Sequence, residues 1–299
     1  MKDALIFSLT TSKELAKKVS EKSGIPLGES SVLRFADGEI MARCLINVKG
    51  KICYIIQSTI APSSDSLFEI FIFTDSLKNA GAKEIVLITP YYGYSRQDRV
   101  AQKGEPITAK IVANLLQSCG ISQLISVDLH TQQIQGFFSI PVLNLETSDL
   151  FGFYFVKRFA ELGINHEDVV VVSPDHGSAN RGRDVSSNFN NASLAVIDKR
   201  RPAPNKSEVT NVVGDCNGKV CLIVDDIVDT GGTINNAVEA LFNKGAKEVY
   251  VAATHAIFSG QNIDKRIKEF VVTDTVEKQI PNVTVLSVAD LIAKAVVND

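Results

Sequence analysis

Apolar residues fall into short continuous runs separated by stretches of helical spacing. The runs Ile52–Gln57, Ile85–Thr89, Leu124–Asp128, Val169–Ser173, Leu194–Asp198, Val220–Asp225 and Glu248–Ala253 are mostly rich in Val and Ile. Most are apolar on both faces, the pattern of a parallel strand covered from both sides. After the sixth run, Ile234, Ala237, Val238, Leu241 and Phe242 recur at helical spacing, and Gly245 stands where that helix would stop. Alternating strands and helices predict an α/β fold with largely parallel sheets. The stretch Leu77–Ile85 (LKNAGAKEI) echoes Leu241–Val249 (LFNKGAKEV), each reading as a helix end, a glycine stop and entry into a strand. Gly-Ala-Lys-Glu is also a common helix-to-strand turn, so the echo alone does not establish a repeat. Two α/β halves suit 299 residues, with the boundary near Leu145, after Pro141.

Composition narrows the class. A hydrophobic fraction of 45% and a charged fraction of 22% are those of a globular protein with a sizeable core. The formal charge of −3 points to neither nucleic acid nor an anionic membrane. Any anion site must therefore be local, built from placed cations, metal ions and backbone amides. Cys44, Cys53, Cys119, Cys216 and Cys221 are odd in number and scattered, without the paired spacing of a zinc site. A reduced, cytoplasmic setting fits them best. Met1–Thr10 is too short and polar for a secretory signal. No apolar run approaches the ~20 residues of a membrane span.

The segment richest in chemistry is Val220–Thr233, VCLIVDDIVDTGGT. An apolar strand runs into Asp225 and Asp226. Asp229 then opens a Thr230-Gly231-Gly232-Thr233 turn at the start of the helix described above. Glycines let the backbone approach an anion, and successive amides and the helix N-terminus favour it there. No Gly-Lys-Ser/Thr follows, so this is not a Walker A loop. Acids beside a bare phosphate would repel it. They make sense if they accept from hydroxyls of the same ligand, such as a ribose, or hold a magnesium ion.

This segment resembles the phosphoribosyl-pyrophosphate loop of type I phosphoribosyltransferases and ribose-phosphate pyrophosphokinases. Seven further blocks resemble the second family and appear in its order. They are Phe35–Glu39, Tyr92–Arg99, Pro106–Lys110, Val127–His130, Gln133–Phe138, Val172–Gly177 and Ile197–Pro202. The resemblance implies two similar type I phosphoribosyltransferase-like domains, each a largely parallel sheet flanked by helices. Residues 1–145 would carry the ATP site and 146–299 the ribose 5-phosphate site, with the last helix free to pack back on the first domain. The implied reaction transfers the diphosphoryl group of Mg-ATP to the anomeric hydroxyl of ribose 5-phosphate, giving phosphoribosyl pyrophosphate and AMP.

The family's roles fall on matching positions. Lys199 and Arg201 are the catalytic cations at the start of a mobile loop, suited to charge that builds on the transferring group. Phe35, Asp37 and Glu39 contact adenine, in the family from a neighbouring subunit. Arg96, Gln97 and Arg99 contact ATP. His130 and Asp175 are ligands of metal and phosphate, His130 also contacting ATP. Asp225, Asp226, Asp229, Thr230, Gly231, Gly232 and Thr233 hold ribose 5-phosphate. Mg2+ is the implied cofactor. The implied assembly is a homo-oligomer built from dimers, with the family's hexamer left open. Two alternatives remain at this stage: a non-catalytic synthetase-like modulatory subunit, and a phosphoribosyltransferase that consumes the product.

The chain departs from the family in five places. Val100–Glu105 holds only Lys103 where arginines are usual. Ser178-Ala179-Asn180 replaces a second glycine and small apolar residues. Lys49 and Gly81 stand where regulated members tend to carry arginine and serine, and the chain stops at Asp299 without the usual Ser- and aromatic-containing tail. These last changes imply weak regulation by phosphate and ADP.

Overall fold

Short Val/Ile runs become parallel strands here because helices cover both of their faces. The structure, a computed structural model, describes residues 3–190, 192–203, 206–260 and 263–298, with side chains described except at 199–203, 206–210 and 298. The chain divides into two units. One holds Met1–Leu145, Asp274–Glu277 and Ser287–Asp299; the other holds Glu146–Thr273 and Lys278–Leu286.

The first unit runs β1 (Ala4–Ser8), α1 (Lys13–Ser23), β2 (Ser30–Arg34), β3 (Ile40–Cys44), β4 (Ile52–Ile56), α2 (Ser63–Asn79), β5 (Glu84–Thr89), α3 (Thr108–Cys119), β6 (Gln123–Val127) and β7 (Val142–Leu145). Its five-stranded sheet has the order β1-β4-β5-β6-β7, parallel throughout. β2 and β3 form a separate antiparallel hairpin. Phe7, Ile55, Ile70, Phe73, Leu77 and Leu87 are buried in its core, with Phe7 edge-on to Phe73 at 5.3 Å.

The second unit runs α4 (Ser148–Glu161), β8 (Val169–Ser173), α5 (Ala179–Ser187), β9 (Ser193–Ala203), β10 (Lys206–Val213), β11 (Val220–Val228), α6 (Gly232–Asn243), β12 (Glu248–Ala256), β13 (Ile267–Thr273) and β14 (Thr284–Leu286). Its seven strands are ordered β10-β9-β8-β11-β12-β13-β14, and only β10 is antiparallel. β11 shows why these runs are apolar throughout. Cys221 and Ile223 pack with Ile234, Val238 and Leu241 of α6. The alternate residues Leu222 and Val224 pack with Phe151, Phe155 and Phe159 of α4.

The internal echo is matched hydrogen bond for hydrogen bond. Ala82 N donates to Leu77 O and Ala246 N to Leu241 O, both at 3.0 Å. Lys83 N donates to Lys51 O and Lys247 N to Lys219 O, both at 2.8 Å. Gly81 and Gly245 take φ of 81° and 84°, the left-handed cap that lets each helix turn directly into a strand.

Two differences from the sequence pattern matter for the site. The run expected to end at Asp198 continues through Ala203 and pairs antiparallel with β10, with Lys199 opposite Val209. Asp128, expected as the end of its strand, lies just past β6 with φ of 40°.

The chain's C-terminal helix, α7 (Ala289–Asn298), belongs to the first unit. There, the buried Asp274 accepts from Lys18 Nζ and from Val288 N, each at 2.8 Å. Glu277 accepts from Leu15 N at 2.7 Å, doing at α1 what the Ser12 side chain does not. One short segment thus ties α1 to the start of α7. Among the described residues no helix is long and apolar enough to cross a membrane. Asp274→Ala leaves the Val288 amide without this acceptor and removes a charge-assisted bond. It is expected to cost about 2 kcal/mol, read as a lower midpoint in chemical denaturation.

Candidate active site

In the second unit the chain leaves β8 for β9 on one side and resumes with β11 on the other. Such a reversal opens a crevice beyond the carboxyl ends of the two strands, the usual ligand site of open α/β sheets. β11 is paired to β8 as far as Ile223, opposite Val172, and then continues along β12. Asp225 and Asp226 fall just past that last pairing. They are 7% and 5% exposed.

Burial first, then the neighbouring Asp226 and Asp175, push the Asp225 carboxyl well above the usual carboxylate range. Arg181 works in the opposite direction, with Nη1 3.8 Å from Asp226 Oδ1. Arg181 was not singled out from sequence. It is far from Asp226 in the chain, and only the packing of α5 against β8 brings it there. That packing depends on the next residue, because a Cβ at Gly182 would lie 2.4 Å from Ser173 Oγ.

Asp175 opens the turn into α5. Its Oδ1 accepts from Ser178 N at 3.0 Å and from Ser178 Oγ at 3.2 Å. The departure at Ser178 therefore orients a carboxylate that the sequence pattern singles out. The clustered carboxylates suit a cation or ligand hydroxyls. Among the described residues no group of three or more His, Cys, Asp or Glu is arranged to hold a metal alone. A magnesium ion would complete its shell with ligand phosphates and water, for which one or two carboxylates suffice.

Asp229 through Thr233 form the expected loop into α6. Gly231 takes φ of 83° as its cap, and α6 begins at Gly232. Ser259 Oγ donates to Asp229, and a Cβ at Gly260 would sit 2.8 Å from Thr230 O. The segment at 259–260 thus backs the loop closely. The backbone of Lys199 and Arg201 lies in β9, while their side chains lie outside the described residues.

In the first unit, Phe35, Asp37 and Glu39 occupy the exposed tip of the β2–β3 hairpin. Phe35 N donates to Glu39 O at 2.8 Å, and Glu39 N to Asp37 Oδ1 at 3.1 Å. Arg96, Gln97 and Arg99 are exposed on the loop after β5. This loop is held closely at its root, since a Cβ at Gly93 would lie 2.3 Å from Thr59 O. Gln97 also starts α3: its Oε1 accepts from Thr108 Oγ1 at 2.6 Å and its carbonyl from Ala109 N at 3.1 Å. His130 is exposed beyond β6. Asp98, which sequence reasoning passed over, is buried and accepts from Thr131 Oγ1 at 2.7 Å and Gln133 Nε2 at 2.8 Å. It ties the segment after His130 to the loop of Arg96 and Arg99. His130 and Asp175, both expected at metal, stand in different units.

Two family profiles match the chain. One, described as the N-terminal domain of ribose phosphate pyrophosphokinase, matches residues 4–120; the other, a phosphoribosyl transferase domain, matches 146–289. The ribose-phosphate pyrophosphokinase of Bacillus subtilis is 46% identical over 304 residues, covering 99% of this chain and 94% of the relative. That of Fusobacterium nucleatum is 44% identical, covering 97% and 93%. The crystal structure of phosphoribosylpyrophosphate synthetase from Mycobacterium smegmatis superposes with a TM-score of 0.89 at 38% identity, covering 98% of this chain and 97% of that one.

Arg181→Gln removes the cation beside Asp226 and is expected to raise the Asp225 pKa further, while Asp226→Asn should lower it. Carboxyl NMR titration reads both. The folded pKa of Asp225 lies above the unfolded value of roughly 3.9, so the folded state holds more protons between the two. Stability therefore falls as pH rises through that window.

Proposed function

The chain belongs to the ribose-phosphate pyrophosphokinase family, which makes phosphoribosyl pyrophosphate and AMP from ribose 5-phosphate and ATP, and we propose how its own residues divide that work. The observation that carries the assignment is the buried Asp225–Asp226 pair standing directly before the Gly231 loop. Anion-binding amides beside acceptor-only carboxylates fit a ligand with a phosphate at one end and hydroxyls at the other. Asp225 and Asp226 accept from the 2- and 3-hydroxyls of ribose 5-phosphate. Thr230, Gly231, Gly232 and Thr233, with the α6 N-terminus, hold its phosphate, and Asp229 keeps the loop in register through Ser259.

Arg96 and Arg99 hold the phosphates of ATP, joined by the Gln97 side-chain amide, whose oxygen Thr108 already occupies. Phe35 stacks on adenine, and Asp37 and Glu39 accept from its amino group. Lys199 and Arg201 steady the charge that develops as the anomeric oxygen attacks the β-phosphorus. Mg2+ neutralises phosphate charge when bound. Asp175 suits it as an oxygen donor, whereas the His130 imidazole is the poorer ligand for so hard a cation and better suited to a phosphate oxygen. Five free cysteines support a reducing, cytoplasmic setting. The exposed hairpin tip supports a homo-oligomer in which one subunit's Phe35 serves its neighbour.

Incubation with Mg-ATP should release AMP only when ribose 5-phosphate is present; AMP without the sugar, or none with it, would refute the assignment. Lys199→Ala is expected to lower kcat by about 10²-fold or more with the ATP Kd nearly unchanged, as for an interaction made only in the transition state. A matching loss of ATP affinity would make Lys199 a ground-state ligand.

Weak regulation is the second expectation. Gly50 N donates to Gly81 O at 2.8 Å, which sets Lys49 beside a glycine whose φ of 81° disfavours the serine of regulated members. Activity is expected to persist without phosphate and to lose to ADP only as ATP competition. Strong phosphate dependence in steady-state assays would contradict this.

A further inference from the structure

Among the described residues the β2–β3 hairpin pairs with no other strand, and a two-stranded ribbon holds its shape poorly alone. Its position comes from α2. Near its base, Cys44 N donates to Ser76 Oγ at 3.1 Å, and Ala42 is buried in the core. Near its tip, Arg34 pairs with Asp65 in the first turn of α2. The same guanidinium donates through Nη1 to Gly38 O at 2.9 Å, between Asp37 and Glu39. Asp65 and Ser76 stand eleven residues apart, or about 16 Å along a helix. Towards the tip lies a cleft of about 320 Å³, lined by Val32, Leu33, Ile40, Ile60, Ser66 and Glu69 among others. The hairpin is thus loosely packed there, and the Arg34–Asp65 pair bridges the opening.

The post on which this pair closes is firm. Glu69, one turn further along α2, is 4% exposed. It accepts from Thr10 N at 3.2 Å, Thr10 Oγ1 at 2.7 Å and Gln57 Nε2 at 2.7 Å. Asp65 is therefore fixed relative to the sheet, and Arg34 transmits that position to the backbone of the tip.

We propose that Arg34 and Asp65 are positioning residues for adenine recognition, acting as a latch that sets the orientation of Phe35, Asp37 and Glu39. The proposal rests on the reading that this tip contacts the base. An exposed ion pair contributes little to global stability, so the latch should show in substrate handling rather than in unfolding.

The test compares Arg34→Gln, Asp65→Asn, their double variant, Asp65→Glu and Phe35→Ala in steady-state kinetics and thermal unfolding. Each neutral single variant is expected to raise the KM for ATP roughly tenfold, the scale of one lost charge-assisted hydrogen bond. The KM for ribose 5-phosphate and the Tm should be unchanged, and preference for ATP over GTP should fall. The double variant should be no worse than either single one, and Asp65→Glu should recover most of the loss. An unchanged KM for ATP in both single variants, with Phe35→Ala raising it, would overturn the latch and leave the tip assignment standing. An unchanged KM in Phe35→Ala as well would overturn both. Fully additive losses in the double variant would show two separate roles and overturn the latch.

Discussion

Asp225 and Asp226 are buried carboxylates on β11, beyond its pairing with β8, on a strand whose preceding side chains are sealed between two helical layers. A buried, unpaired carboxylate is costly, and two adjacent ones repel. That cost explains the surrounding construction. β11 outruns β8 while staying paired to β12, so on the β8 side the acids meet the crevice. α5 approaches β8 closely enough to bring Arg181 to Asp226, which needs glycine at 182. Burial and the neighbouring acids still hold the Asp225 carboxyl well above the usual carboxylate range.

The two units solve the problem of presentation differently. In the second, the strand order reverses at β8 and β11, and polar groups converge in one crevice. In the first, the order β1-β4-β5-β6-β7 never reverses. The residues proposed for ATP sit on excursions from the sheet: the β2–β3 hairpin, the loop of Arg96–Arg99 and the turn at His130. Excursions need bracing. Gly93 lets one loop root against Thr59, Asp98 ties that loop to Thr131 and Gln133, and Asp65 holds the hairpin.

Much of this was legible in the sequence, and the rest has physical reasons for being hidden. β4, β5, β8, β11 and β12 are apolar runs buried on both faces, so composition alone marks them. β7 and β14 are four and three residues long, and their identity comes from pairing. The continuation of β9 past Asp198 into Lys199–Ala203 was unread because that stretch is basic and contains Pro202, while its partner β10 is far from apolar. The Asp229–Thr233 loop was legible because its acid and glycines are close together in the chain. Arg181 and Asp98 were not, because each acts on residues that only the fold brings near.

The echo between Leu77–Ile85 and Leu241–Val249 shows what a sequence repeat can and cannot carry. The two segments share their capping bonds and their glycine conformation, and each joins a helix to a central strand. They therefore fix where β5 and β12 start relative to β4 and β11. They lie, however, at the amino ends of those strands, opposite the edge where the candidate site residues stand. Framework and chemistry occupy different ends of the same strands, so the framework can repeat while the carboxyl edges diverge. One edge carries acids and a glycine-rich loop into α6, the other exposed arginines on a braced loop. The similarity of the halves is thus evidence about the scaffold, and their difference in function has to be argued from the edge residues alone.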